Sequence, residues 1–430
     1  MKITLKNVGT IREAAINLVG LNVIAGPNGT GKSTVGKTVY TIIKSVKDSK
    51  KTLFQHRKRL VESICQTLFY SLQNNLQQGN LSAKNHDIKI LLSNFTSPFA
   101  ETLVDLLKVS DYQESHRSII AHINLIDTFQ SLDEKSKLSA KKSLNDLMGI
   151  FAQISETEEI KHSLEFMYHE MFREQVTNLT THHSSSILLE STGDTLLNYT
   201  VSNNVDILPF SDRLTLHTVA PNLKQRILPE VTFIETPLVL QIARSLRIPY
   251  HWKDLIEKLE LEPQQSNNVL GQEIYQNLVN LLKGQLVYKT NKQDFFFVPI
   301  NTDDNLYVSN MASGEKTFGI LQRLAYCGKL SSDHILIFDE PENHLHPQWQ
   351  ARLADFLTTL VDKNVSVLLT THSATLINFL QDFSEQKHLT EKTHFYFADQ
   401  GLIQDVESYE EKSDIIFKSF YDARKMGPYG

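Results

Sequence analysis

The stretch GPNGTGKST at 26–34 limits what this chain can fold into more than any other part of it. It matches the pattern G-x-x-x-x-G-K-[ST] at Gly26, Gly31, Lys32 and Ser33, behind the apolar run LNVIA and ahead of a helix-forming stretch. Strand, tight loop and helix in that order are the unit from which covered parallel sheets are built. The glycines let backbone wrap an anion closely. The N–H groups across Asn28, Gly29, Thr30, Gly31, Lys32, Ser33 and Thr34 then face it together with the helix N-terminus. In such a loop the lysine reaches the outer phosphates of a nucleoside triphosphate, and the Ser33 hydroxyl is a Mg2+ ligand.

Two later strands end in polar groups. ILIFDE at 335–340 is four apolar residues closed by two acids, and an unpaired buried carboxylate is costly enough that such an ending calls for a use. Asp339 is placed to hold Mg2+ and Glu340 to act as general base on a water; the pair together points to hydrolysis. The plainer alternative is a solvated acid pair at a strand end. LLTTHS at 368–373 is a second apolar strand with His372 at its tip. A neutral imidazole there can donate a hydrogen bond to the terminal phosphate or hold the water, although a lone histidine is more often structural.

Composition bounds the rest. At 430 residues the chain has room for roughly two to three domains. A net charge of −6 gives no electrostatic case for nucleic acid, and a local basic patch stays open. Cys65 and Cys327 are far apart, which suits neither a disulfide framework nor a metal site and favours a reducing, cytoplasmic setting. The apolar run at 13–25 is broken by Asn17 and Asn22 and leads straight into the loop, so it reads as strands and not as a signal peptide. No run reaches the ~20 apolar residues of a membrane span.

Between about 35 and 180 the chain is nearly free of Gly and Pro, and SAKKSLNDLMGIFAQI (139–154) and IKHSLEFMYHEMFREQV (160–176) carry apolar residues at helical spacing. A helical insertion packed on itself is the expectation, and a helical DNA-binding arm the sharper alternative. Strand character returns in SSILLES, TLLNYTV and VTFIETP, and GQLVYKTNKQDFFFVP (284–299) reads as a hairpin. The expected division is a lobe of 1–46 and 184–246, an insertion of 47–183 for oligomer and partner contacts, and a second lobe of 247–430.

NMASGEKTF (310–318) is a second glycine-marked helix start, ahead of the acid pair. As plain structure it has Ser313 as N-cap and Glu315 in the first turn. The phosphate loop, Ser-Gly-Glu, the acid pair and the Thr-His strand, in this order and spacing, resemble ATP-binding-cassette (ABC) ATPases. The subgroup is that of SMC proteins, RecF and the OLD nucleases, and the resemblance covers about 1–46 and 185–390. It implies an α/β fold, an ABC-type P-loop ATPase head with a mostly parallel sheet, an antiparallel β subdomain and a helical insertion. It also implies ATP and Mg2+ as cofactors, Ser33 and Asp339 as the metal's ligands, and Glu340 and His372 as catalytic residues.

In that family ASGEK corresponds to the signature, which caps the γ-phosphate bound by another copy. Ser313, Gly314 and Glu315 would then serve a neighbour's ATP in a head-to-tail dimer. The family's glutamine loop has Gln241 as its candidate here, with Glu235 in FIETP as the other. DEPENHLHPQWQ (339–350) further resembles the ATPases of the OLD group and of antiphage systems of the Septu and PARIS types; a metal site at His344 and His346 is the competing reading. OLD nucleases carry a TOPRIM nuclease module after the ATPase, for which little chain follows THS, so any cutting is expected from a separate protein.

The resulting expectation is a Mg-dependent ATPase that pairs with itself, as a dimer or a higher homo-oligomer, and regulates a separate effector, a nuclease, in antiviral defence. No membrane is expected among its partners, and DNA is not indicated by charge. A DNA-clamping repair ATPase like RecF and SMC, a transporter subunit, and a nucleotide-gated scaffold with little turnover stand as alternatives.

Overall fold

Strands β1 (Lys2–Val8) and β2 (Ile11–Asn17) mix buried and exposed positions, whereas β3 (Leu21–Ala25) is buried throughout. The difference marks where one sheet needs cover on one face and where it needs cover on both. The computed structural model describes residues 1–77, 97–128, 134–173, 175–178, 183–204, 211–226, 228–242, 248–262, 269–300, 302, 304–343 and 345–406. The chain divides into two units: Met1–Lys47 with everything from Met167 onward, and Asp48–Phe166.

After β3 comes α1 (Lys32–Lys47), then the helices α2 (Ser49–Gln77), α3 (Ser97–Lys108), α4 (Tyr112–Thr128), α5 (Glu134–Ile150) and α6 (Glu156–Phe172). Strands β4 (Ser185–Ser191), β5 (Asp194–Asn204), β6 (Ser211–Val219) and β7 (Glu230–Ile234) follow, then α7 (Tyr250–Glu260) and α8 (Val269–Leu282). The remainder is β8 (Gly284–Lys289), β9 (Asp294–Pro299), β10 (Leu306–Tyr307), α9 (Ser313–Tyr326), β11 (His334–Asp339), α10 (Pro347–Asp362), β12 (Ser366–Thr371), α11 (Ala374–Gln386), β13 (Thr393–Asp399) and β14 (Leu402–Asp405).

Eleven strands form one sheet in the order β6-β5-β4-β1-β2-β14-β13-β3-β12-β11-β7. From β13 to β7 every neighbour is parallel, and from β6 to β2 every neighbour is antiparallel. The parallel sheet and the antiparallel β subdomain expected from the sequence are both present, and they are continuous. Parallel pairing of Leu402 with Glu13 and Ile403 with Ala14 joins them through β14.

Alternation along β11 sets its two coverings. Leu336 and Phe338 enter a core with Phe318 and Leu321 of α9, Leu353 and Leu357 of α10 and Leu376 and Leu380 of α11. Ile337 turns the other way, toward α1, where a side chain at Gly36 would come within 3.0 Å of its Cγ2. β10, β9 and β8 form a small antiparallel sheet. Gln322 ties α9 to it, accepting from Leu286 N at 2.6 Å and donating to Gly284 O at 2.9 Å.

The helices of Asp48–Phe166 are packed on one another, as the sequence suggests, around Val61, Leu68, Leu103, Ile119, Leu144, Leu147 and Phe151. Burial pushes the Cys65 thiol up to about 12, so it behaves as a small apolar group. This unit ends earlier than the 47–183 read from sequence. The Tyr168 and Tyr199 hydroxyls bond each other, Gly9 N donates to Val176 O at 2.7 Å, and Thr177 bridges Val8. These bonds return the chain to the large sheet by Met167.

His334, at the start of β11, carries a pH signature. It is 2% exposed, its Nε2 lies 2.8 Å from the Thr232 hydroxyl, and burial drives its pKa down to about 3. The folded protein keeps the ring neutral, whereas the unfolded chain takes a proton below about 6.5. Stability is therefore full above about 6.5 and falls as pH drops toward the folded value, by up to about 1.4 kcal/mol per unit. Between pH 7 and 5 the wild type should lose about 2 kcal/mol more than His334→Gln, measured from urea midpoints. Equal losses in the two proteins would refute the assignment.

Candidate nucleotide-binding site

Register brings the functional ends of four strands to one edge. Thr371 pairs with Ala25, Asp339 with Thr370, and Phe338 with Ile234. The residues that follow are Gly26, His372, Glu340 and Glu235, so the sheet places all four side by side.

The phosphate loop needs glycine where other chain crowds it. Gly26 has φ +153°, and a side chain there would meet Ala398 O at 2.3 Å; at Gly31, φ +97°, it would meet Ile11 Cγ1 at 2.6 Å. Asn28 and Gly29 lie exposed on the outer turn, Thr30 is half-buried with its hydroxyl on Pro27 O at 2.8 Å, and Ser33 and Thr34 sit half-buried in the first turn of α1. Lys32 is 4% exposed and folds back over its own loop, donating to Gly26 O and Pro27 O at 2.8 Å each. Burial lowers its pKa, while Glu340, Asp339 and Glu342 oppose that.

Asp339 is buried and accepts from the Thr370 hydroxyl and from Ser33. Its carboxyl is raised by burial first, then by Glu235 and Glu340, against those two hydrogen bonds. Glu340 stands at φ +48°, uncommon for a residue with a side chain. Its N–H is held by Thr370 O at 3.0 Å, Asn343 Nδ2 donates to its Oε2 at 3.2 Å, and its Oε1 is 3.8 Å from the Lys32 ammonium. His372 brings Nδ1 to 3.7 Å from Glu340 Oε2 and 3.4 Å from Glu342 Oε1.

The donor set fits a nucleotide with Mg2+. Three carboxylates, Asp339, Glu340 and Glu342, gather near one buried ammonium, and Asp339 is destabilised as an anion by burial and then by Glu235 and Glu340. A hydroxyl and one carboxylate beside a phosphate cradle are what Mg2+ takes from a protein when phosphate oxygens and water supply the rest. Among the described residues no group of three or more His, Cys, Asp or Glu could hold a metal without such help.

A protein-family profile described as "AAA domain, putative AbiEii toxin, Type IV TA system" matches residues 21–378. The chain belongs to this AAA-domain family. Its fold is the α/β P-loop ATPase fold. Among solved structures, similarity extends to the SMC head domain from Thermotoga maritima, at 11% identity, TM-score 0.37, 95% of this chain and 98% of that one. An SMC head bound to the C-winged helix domain of ScpA gives 13% identity, TM-score 0.39, 96% and 98%. The ADP conformation of an ATP-binding cassette of an ABC transporter gives 10% identity, TM-score 0.35, and 99% of each chain. No curated protein sequence matches.

In this AAA-domain protein the other residues singled out from sequence take varied places. Helix α9 begins at Ser313, but Ser313 is not its cap. Ala312 is the N-cap, extended at φ −64° and ψ 149°, and its N–H donates to the Glu315 carboxylate at 3.2 Å. With Glu315 reaching back in this way, no hydroxyl is needed at the cap. Gly314 lies against the segment after the acid pair, where a side chain would come within 3.1 Å of Leu345 Cδ2. No hydrogen bond or ion pair among the described residues joins Ser313, Gly314 or Glu315 to the phosphate loop.

His346 N-caps α10, its ring accepting from Gln348 N at 3.4 Å, and His344 lies outside the described residues. Gln241 closes a 3-10 turn, Pro237–Gln241, and is exposed. Glu235, the other glutamine-loop candidate, sits at the site edge and is pinned there. His251 Nε2 and Trp252 Nε1 meet its Oε2 at 2.8 and 2.9 Å, and Lys37 lies 3.8 Å from Oε1. The His251 bond leads in bringing its pKa down to about 2. Sequence reading missed the two residues that surround His372 and Glu340 most closely, Glu342 and Asn343. The available signal was a third acid directly after Asp-Glu-Pro.

Proposed function

We propose that this protein is a Mg-dependent ATPase of the ABC/SMC class, which closes head to tail with a second copy around two ATPs. In that closed state it would control a separate effector, a nuclease, in antiviral defence. The observation that carries the reading is the strand register, which sets Asp339, Glu340 and His372 on one edge beside Gly26 of the phosphate loop, while Ser313 and Gly314 open a second helix that makes no hydrogen bond to that loop among the described residues. Mg2+, when bound, supplies charge neutralisation at the outer phosphates. Lys32 leaves its carbonyls for those phosphates, Ser33 and Asp339 hold the metal, and Glu340 accepts a proton from the attacking water. His372 helps hold that water. Ser313 and the N–H groups after it give a helix start of the kind that binds anions, with no hydrogen bond to its own phosphate loop among the described residues, which suits a neighbour's ATP. The family's description, naming a toxin and a type IV toxin–antitoxin system, supports a conflict-system role.

The test is a pull-down from the native host. Glu340→Gln protein in ATP and Lys32→Ala protein should retain a common partner with affinities differing by about 5- to 150-fold, the usual range of coupling between sites. A partner held equally by both would leave the nucleotide without control over it.

A further inference from the structure

Resting on the reading of Glu340 and His372 above, we propose that Glu342 is a positioning residue whose buried carboxylate accepts a hydrogen bond from the Nδ1–H of His372. The site would then present Nε2 to the water as an acceptor. Glu342 follows Pro341 on the turn out of β11 and its side chain is 4% exposed. Its Oε1 accepts from the Thr371 hydroxyl at 2.5 Å and from His372 N at 2.8 Å. Its Oε2 is buried without a partner, and so is His372 Nδ1. Two buried orphans on adjacent groups each cost the free energy of a missing hydrogen bond. Nδ1 lies only 3.4 Å from Oε1, so a small turn of the ring makes a hydrogen bond there and gives Nδ1 a partner.

Glu340 is the competing acceptor, at 3.7 Å. Its Oε2 already takes Asn343 and its Oε1 faces Lys32, so Glu342, at 3.4 Å, is the nearer acceptor and the one not facing the lysine. The ring is 38% exposed although Nδ1 is buried, so its open edge is the Nε2 side. A proton on Nδ1 leaves a lone pair on Nε2 in the neutral ring. Such a ring accepts from water and cannot donate to a phosphate, which decides between the two roles that the sequence alone leaves to His372. The logic is that of a carboxylate fixing a histidine tautomer in other catalytic sites.

The test is 15N-histidine NMR of the full chain without nucleotide at pH 8, with the His372 signals identified by their loss in His372→Gln. Nδ1 should carry the proton and Nε2 should not. A neutral ring protonated at Nε2 in the wild type would overturn the proposal, and that measurement needs no variant of Glu342. In Glu342→Leu nothing on that side chain accepts from Nδ1, so the proton should move to Nε2. Turnover should then fall about 10- to 100-fold at unchanged KM for ATP, the usual cost of losing an outer-sphere partner. In a His372→Ala background the same substitution should cost nothing further; a full loss there would mean that Glu342 does not act through His372. Wild-type turnover in Glu340→Gln and His372→Ala would instead defeat the reading of the site, whatever the tautomer.

Discussion

Glu340→Gln should bind ATP as the wild type does and turn it over about 10²- to 10⁴-fold more slowly, the range for losing a general base. The substitution keeps the side chain's length and its place at φ +48° on the turn after β11, and it keeps an oxygen for Asn343 Nδ2. What it removes is the negative charge 3.8 Å from Lys32 and the site for a proton from water. Lys32→Ala is the contrasting variant. Lys32 is the ammonium whose raising influences are Glu340, Asp339 and Glu342, so its loss leaves those acids facing the phosphates without compensation. Nucleotide binding itself should fall. Phosphate release and equilibrium binding of a fluorescent ATP analogue separate the two effects. Wild-type turnover in Glu340→Gln would remove Glu340 as the base.

Ser313→Arg should abolish hydrolysis while leaving ATP on the phosphate loop of each subunit. Ser313 is half-buried at the first position of α9, and an arginine there costs the helix itself only about 0.3–1 kcal/mol through the dipole. It does, however, fill the space a neighbour's phosphate would use. Mixing Ser313→Arg with Lys32→Ala protein makes a dimer in which one composite site has an intact loop and an intact signature, while the other has neither. Activity should return in the mixture, up to one working site per mixed dimer, and be absent from either protein alone. Mixed dimers that form and stay inactive would show that each subunit works by itself.

The residues legible in sequence were those whose meaning is local. A glycine-rich loop between strand and helix, or acids at the end of an apolar run, identify themselves within ten residues, and the register then decides only how close they come. Glu342 was not legible, because its partners Thr371 and His372 lie on another strand. Glu235 likewise depends on His251 and Trp252 of α7, and only the fold shows that it stands close enough to act on Asp339. The cap of α9 was misread because the Ser-Gly pair drew attention, whereas backbone at Ala312 and the Glu315 carboxylate do the capping. The junction at β14 could not be inferred at all, since strand neighbours far apart in sequence leave no periodic trace.

That junction bears on the order in which the protein can be completed as it is made. β13 and β14 fill the gap between β2 and β3, and they are the last described strands of the chain. Until Thr393–Asp399 has left the ribosome, β3 has one unpaired edge, and until Leu402–Asp405 follows, so does β2. Unpaired edges of this kind invite pairing with other chains, and closing them only once β13 and β14 have been made leaves a long interval of exposure. The phosphate loop waits as well, because Gly26 is shaped against the carbonyl of Ala398. The loop that follows β3 is given its final form by residues made long after it.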